Sequence, residues 1–152
     1  GGFSTADFAQ LALPPLMDPV YGYQAVNVEA QVRNPSSFLR WVRSMLAVRR
    51  SSPVFGVGSL HLLEPANEAV FAYVREGADS DGDGHADVVL CVNNLSRHAQ
   101  PCELDLHQWA GFRPIEMLGR VVFPAVGELP YFVTLPPYGF YWFKLVPCLE
   151  TD

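Results

Sequence analysis

The hydrophobic pattern of this chain changes period at Pro53, and that switch limits what it can fold into. Between Ser37 and Arg50, Phe38, Leu39, Val42, Met45 and Leu46 recur at helical spacing; Trp41 and Val48 widen the stripe, and Arg40, Arg43 and Arg50 mark the solvent side. Asn34-Pro35-Ser36 reads as the helix start, with Asn34 capping free backbone N–H groups and Pro35 at the first helical position. Arg49 and Arg50 suit the negative end of the helix dipole, and Ser51-Ser52-Pro53 stops the helix. A lone helix cannot hide such a stripe without a partner layer. With no start methionine or signal peptide ahead of it, the opening third is expected to be the end of something larger.

Beyond Pro53 apolar and polar residues alternate. Strands are expected near Val54–Leu63, Ala69–Glu76, Asp87–Asn94, Pro101–Leu106, Pro114–Leu118, Tyr131–Leu135 and Gly139–Val146, with a short eighth near Val121–Phe123. Glu103-Leu104-Asp105-Leu106 has one wet and one buried face, whereas Phe140-Tyr141-Trp142-Phe143 is apolar on both sides and belongs in a central or covered strand. Thirteen prolines and twelve glycines supply the turns. The expected fold class is mainly β: an antiparallel sandwich of seven to eight strands, preceded by a loop and one α-helix. The expected domains are 1–52 and 53–152.

Composition narrows the function. The chain is 49% hydrophobic and 17% charged, which excludes global disorder, and its net charge of −6 argues against nucleic acid and anionic membrane surfaces. No apolar run reaches spanning length, so no membrane partner is expected, and a cytoplasmic home follows from the missing signal. Cys91, Cys102 and Cys148 show no metal-ligand spacing and read as reduced thiols, although Cys91 and Cys102 could approach each other across a hairpin. His61, His85, His98 and His107 are scattered, and Ser96 with His98 lacks an orienting acid. No catalytic and no cofactor-binding residue is assigned.

One cluster carries chemistry of its own. Asp79–Asp87 reads DSDGDGHAD, with carboxylates at Asp79, Asp81, Asp83 and Asp87 and Gly84 after the third. A hard cation takes six to eight oxygens, and a loop wrapped around it presents every second side chain. The pattern is that of a Ca²⁺ loop, in which His85 would offer its backbone carbonyl. It departs where Leu90 stands in place of the closing bidentate glutamate, and strands rather than helices flank it. The other reading is a solvated hairpin turn whose Asp-Gly pairs satisfy turn geometry.

The strings PVYGYQAVNVEAQ (19–31), NPSSFLRWVRSMLAVRR (34–50), VLCVNNLSR (89–97) and GELPYFVTLPPYGFYWFKL (127–145) resemble the bacterial trehalose synthase family, within the α-amylase-type glycoside hydrolases of family 13. The likeness runs from Gly2-Phe3-Ser4 to about Val146. It implies that 1–52 is the terminal loop and last helix of a catalytic (β/α)₈ barrel and that 53–152 is the C-terminal sandwich. The family interconverts maltose and trehalose by a retaining mechanism needing two carboxyl groups about 5–5.5 Å apart. Such groups sit at the C-terminal ends of barrel strands, and no position here matches them. Glu29, Glu103 and Asp105 read as structural or solvated groups. The resemblance implies as partners the rest of the catalytic barrel, a homodimer or higher oligomer, and a maltose kinase. The acidic turn looks like an insertion relative to the family's shorter hairpin.

Two further classes stay open beside a catalytically silent scaffold. One is a carbohydrate-binding module using Trp109, Phe112, Tyr131, Tyr138 and Tyr141 as sugar platforms. The other is a calcium-dependent structural or interaction domain.

Overall fold

A computed structural model describes residues 6–80 and 82–148. The chain divides into two compact units, Gly1–Ala47 and Val48–Asp152. Among the described residues no helix is long and apolar enough to cross a membrane.

In the first unit a short 3₁₀ turn, Phe8–Gln10, precedes α1 (Val28–Arg33) and α2 (Phe38–Ser51), whose last residues fall in the second unit. The helix α1 lies in a stretch expected to be loop. Asn27 makes it: its side-chain oxygen accepts the Ala30 N–H at 2.8 Å, while Nδ2 donates to the carbonyls of Tyr23 and Gln24 at 3.1 Å. Glu29 and Arg33 add an exposed ion pair one turn apart.

The start of α2 also differs from expectation. Asn34 spends its backbone N–H on the Ala30 carbonyl, closing α1, and its side chain accepts the Ser36 N–H. The helix therefore begins three residues later. Ser37 occupies the cap: its carbonyl accepts the Trp41 N–H at 3.0 Å and its Oγ accepts that of Arg40 at 3.3 Å. Gln31 joins the two helices by accepting the Leu39 N–H through Oε1 and the Ser37 hydroxyl through its carbonyl. No residue of α2 is buried, and Phe38 stacks on Trp41 with ring centroids 5.5 Å apart.

The second unit is antiparallel β, with seven strands among the described residues. A five-stranded sheet has the order β1-β2-β3-β7-β5, formed by β1 (Ser59–Leu62), β2 (Val70–Gly77), β3 (Asp87–Asn94), β7 (Phe140–Pro147) and β5 (Phe112–Glu116). A two-stranded sheet pairs β4 (Gln100–Leu104) with β6 (Tyr131–Leu135). Alternate residues of both sheets meet in one core: Val74, Leu90, Val92, Leu104, Leu106, Leu135 and Phe143 are essentially inaccessible. Each such side chain contributes roughly 1.5–3 kcal/mol by leaving water.

The mainly-β sandwich expected from the alternation is what forms, but its entry differs. Val54–Leu63 is not one strand: α3 (Val54–Val57) comes first, Gly58 turns the chain, and β1 follows. A short apolar run is compatible with either period, and Pro53 before it favours a helical turn. Glycine is required at Gly58, since a Cβ there would lie 2.7 Å from Val54 Cγ2 and 2.8 Å from the Glu76 carbonyl oxygen. With α1 and α3 present, the chain carries more than the one helix expected. The eighth strand reduces to a single bridge, Ile115 with Val122. The aromatic run at Phe140 does occupy an interior strand, β7, between β3 and β5.

Candidate functional site

Three places merit chemical scrutiny: the acidic turn, the outer face of the large sheet, and a groove on the small sheet. The turn joins β2 to β3. Asp79 accepts the backbone N–H groups of Gly82 at 2.6 Å and Gly84 at 2.9 Å, and Asp83 accepts that of His85 at 2.9 Å. Gly82 and Gly84 have φ of +79° and +87°, a left-handed conformation suited to glycine. Asp87 leaves this group. It is buried on β3, where it pairs with Lys144 Nζ at 3.2 Å and accepts the Ser80 hydroxyl. The His85 ring meets Phe112 edge-on at 6.0 Å. Asp81 lies outside the described residues. Among the described residues no group of three or more His, Cys, Asp or Glu side chains is arranged to hold a metal ion.

Several other acidic and nucleophilic side chains have structural partners. Glu116, buried, accepts the N–H groups of Leu118 and Gly119 and so closes a turn. Asp105 pairs with His107 at 2.5 Å in the open, which lowers the carboxyl pKa and raises that of the imidazole through their mutual hydrogen bond. Ser96 and His98 sit in the β3–β4 loop, where the Ser96 hydroxyl donates to the His98 carbonyl. Among the described residues all three cysteines are free, and Cys91 and Cys102 belong to different clusters rather than facing each other.

Burial drives the Cys91 thiol from 9.0 to about 11, partly offset by a hydrogen bond with Tyr73, whose phenol rises from 10.0 to about 12, chiefly by burial. A thiol held protonated is a poor nucleophile. These shifts also fix a pH dependence. Both groups ionise more readily in the unfolded chain, so the unfolded state binds fewer protons and stability falls as pH climbs. The loss should begin near 9 and run through about 11 for Cys91, and from 10 to about 12 for Tyr73. Urea melts across that range should show it, and Tyr73→Phe should flatten the upper part; a flat profile in the parent would contradict the assignment.

On the outer face, the register aligns Leu62, Tyr73, Cys91 and Trp142 in one row across β1, β2, β3 and β7. Val54 and Phe55 of α3 cover part of it, the Phe55 and Trp142 rings lying 5.1 Å apart. The β1 side is bare: Leu60, Leu62 and Phe71 are 53%, 64% and 45% exposed. This apolar area is formed by three side chains on two adjoining strands, a patch rather than scattered residues.

The aromatic residues expected as sugar platforms mostly serve the core. Trp109 and Tyr131 are buried, the Tyr131 hydroxyl donating to the Pro124 carbonyl at 2.9 Å, and Phe112 and Tyr141 pack against the same cluster. Tyr138 alone among them is largely exposed. An aromatic that sequence reasoning passed over, Phe132, points outward from β6 and is 61% exposed. Its position in the alternation, between buried Tyr131 and Val133, was the available signal. Phe132 stands opposite Glu103 in the β4–β6 register, and with Pro101, Ala66, Asn67 and Glu68 these two line an open groove of about 560 Å³. Asn67 fastens the β1–β2 loop to β4 by donating to the Pro101 carbonyl at 2.8 Å and to Gln100 Oε1 at 2.9 Å.

Residues 60–142 match the family model described as the maltogenic amylase C-terminal domain. Over 144 residues the chain is 57% identical to the trehalose synthase/amylase TreS of Mycobacterium tuberculosis, an overlap of 95% of this chain and 23% of that protein. It is 57% identical over 144 residues to the trehalose synthase of Pimelobacter sp., covering 95% of this chain and 25% of the relative. For the trehalose synthase of Thermus thermophilus the identity is 43% over 146 residues, covering 95% and 14%. The chain thus spans a quarter or less of the length of these relatives. Among solved structures, the trehalulose synthase MutB of Pseudomonas mesoacidophila MX-45 superposes with a TM-score of 0.58 at 24% identity, over 84% of this chain and 21% of that one. The trehalose-6-phosphate hydrolase TreA of Bacillus licheniformis gives 0.61 at 20% identity, over 82% and 21%. At such identities these two structures speak for the fold alone.

Proposed function

Since the chain belongs to the maltogenic amylase C-terminal domain family, we propose that it is the non-catalytic C-terminal part of a trehalose synthase, acting there as scaffold. The observation that carries this reading is the bare apolar patch of Leu60, Leu62 and Phe71 on the large sheet. Burying it against the preceding part of the parent enzyme would remove apolar surface from water and hold the sandwich in place. Residues 1–52 would then be the terminal loop and last helix of the catalytic (β/α)₈ barrel, and 53–152 the sandwich that follows it in sequence. The interconversion of maltose and trehalose would belong to carboxylates of that barrel. The engagement of Asp87, Glu116 and Asp105 in structural contacts supports a silent role here.

Two measurements test this. The purified chain should form no trehalose from maltose; sustained production would overturn the reading. In a full-length enzyme carrying this domain, Leu60→Glu with Leu62→Glu should lower the melting temperature by several degrees more than in the isolated chain, since both leucines are more than half exposed there. Equal melting of the full-length parent and variant would remove the patch from the interface.

A cytoplasmic home, a homo-oligomer and a maltose kinase partner are finer parts of the same proposal, supported by the likeness to trehalose synthases. Ca²⁺ at Asp79, Asp81, Asp83, the His85 carbonyl and Asp87 is supported by spacing alone. A melting temperature raised by Ca²⁺, and no longer raised in Asp83→Ala, would support it; identical melts with Ca²⁺ and with chelator would overturn it.

A further inference from the structure

The groove on the small sheet presents a combination that the scaffold role does not use. The outward positions of β4 and β6 are Pro101, Glu103, Phe132 and Thr134, and the pattern calls for polar groups there. Phe132 breaks that pattern, standing in register with Glu103 at the lip of the groove. Glu68 enters from the β1–β2 loop, which Asn67 pins in place through its two hydrogen bonds to β4. Among the described residues neither the Glu68 nor the Glu103 carboxylate has a hydrogen-bonded or ion-paired partner.

Ionised carboxylates only accept hydrogen bonds, so the rim asks for donors and repels anions. The exposed ring offers a flat apolar face. A ligand suited to both must carry an apolar face and several hydroxyl donors at its edge, without net negative charge. A pyranose ring meets those conditions, with axial C–H groups on its face and hydroxyls around its perimeter. The groove's volume of about 560 Å³ lies within the range of small-ligand sites, and its openness to solvent suits a segment of a longer chain.

We propose that this groove binds a neutral oligosaccharide, one sugar ring stacking on Phe132 while its hydroxyls donate to Glu68 and Glu103. The site is independent of the scaffold proposal, because it lies on the small sheet and the patch of Leu60, Leu62 and Phe71 on the large one.

The test is a titration of the ¹⁵N-labelled 152-residue chain with maltoheptaose, followed through its backbone amide shifts. Saturable shifts are expected at 66–68, 102–103 and 131–133. Phe132→Ala should weaken binding by roughly three- to tenfold, the effect of losing one stacked ring. Glu103→Gln, which keeps shape but removes the charged acceptor, should weaken it less. Both side chains are exposed, so both variants should melt with the parent. No shift at the highest soluble sugar concentration would overturn the proposal. So would shifts elsewhere only, undiminished binding by Phe132→Ala, or occupation of the groove by a lysine-rich peptide but not by the sugar.

Discussion

Replacing Asn94 with alanine is expected to lower the stability of the second unit by roughly 2–4 kcal/mol, because it removes three hydrogen bonds made by one buried side chain between two loops. Asn94 ends β3 and is 3% exposed. Its Nδ2 donates to the carbonyls of His98 at 2.7 Å and Pro136 at 2.9 Å, and its Oδ1 accepts the Ser96 N–H at 2.9 Å. One side chain thereby joins the β3–β4 loop to the β6–β7 loop. The backbone adds to the same junction, with Asn94 N–H donating to Gly139 at 2.8 Å and Tyr138 N–H to Ser96 at 2.9 Å. Urea melts give the loss, and hydrogen exchange should show faster opening in both loops rather than in β1 and β2. Asn94→Asp should be nearly as costly, since it sets a carboxylate against two carbonyls. A loss below about 1 kcal/mol for alanine would mean that water replaces the amide at this site.

Lys144→Met should cost about 2–4 kcal/mol by stranding Asp87. Asp87 is 6% exposed on β3, and Lys144 reaches it from the neighbouring β7, one position off the direct pair with Val89 on the same face. The full penalty for breaking a buried pair is discounted because the Lys144 side chain is 32% exposed and partly screened. The double variant Asp87→Asn with Lys144→Met should recover most of the loss, since position 87 then carries no buried charge. Equal loss in the single and double variants would show that the lysine acts through packing of its stem instead.

Local pattern carried much of this fold. Alternation along Glu103-Leu104-Asp105-Leu106 marked Leu104 and Leu106 as the buried face, and both lie in the core, because a strand on a core has a period of two whatever its neighbours. Where two local signals competed, tertiary context chose. Val54–Val57 became helical because Val54 buries against Gly77 across a glycine turn. The cap of α2 passed from Asn34 to Ser37 because Asn34 was already closing α1. The acidic turn was visible as a string of carboxylates, but Asp87 was drawn away from it by Lys144, more than fifty positions later.

By itself, then, the sequence determined the period switch at Pro53, the antiparallel β class and the family likeness, since each resides in neighbouring residues or in a continuous string. Only the tertiary structure decided which aromatics face solvent. Trp109 and Tyr131 look like platforms in sequence but lie in the core, whereas Phe132 stands free opposite Glu103. The physical reason is register: a side chain's surroundings depend on which distant residue the backbone hydrogen bonds place beside it, and composition does not encode that pairing.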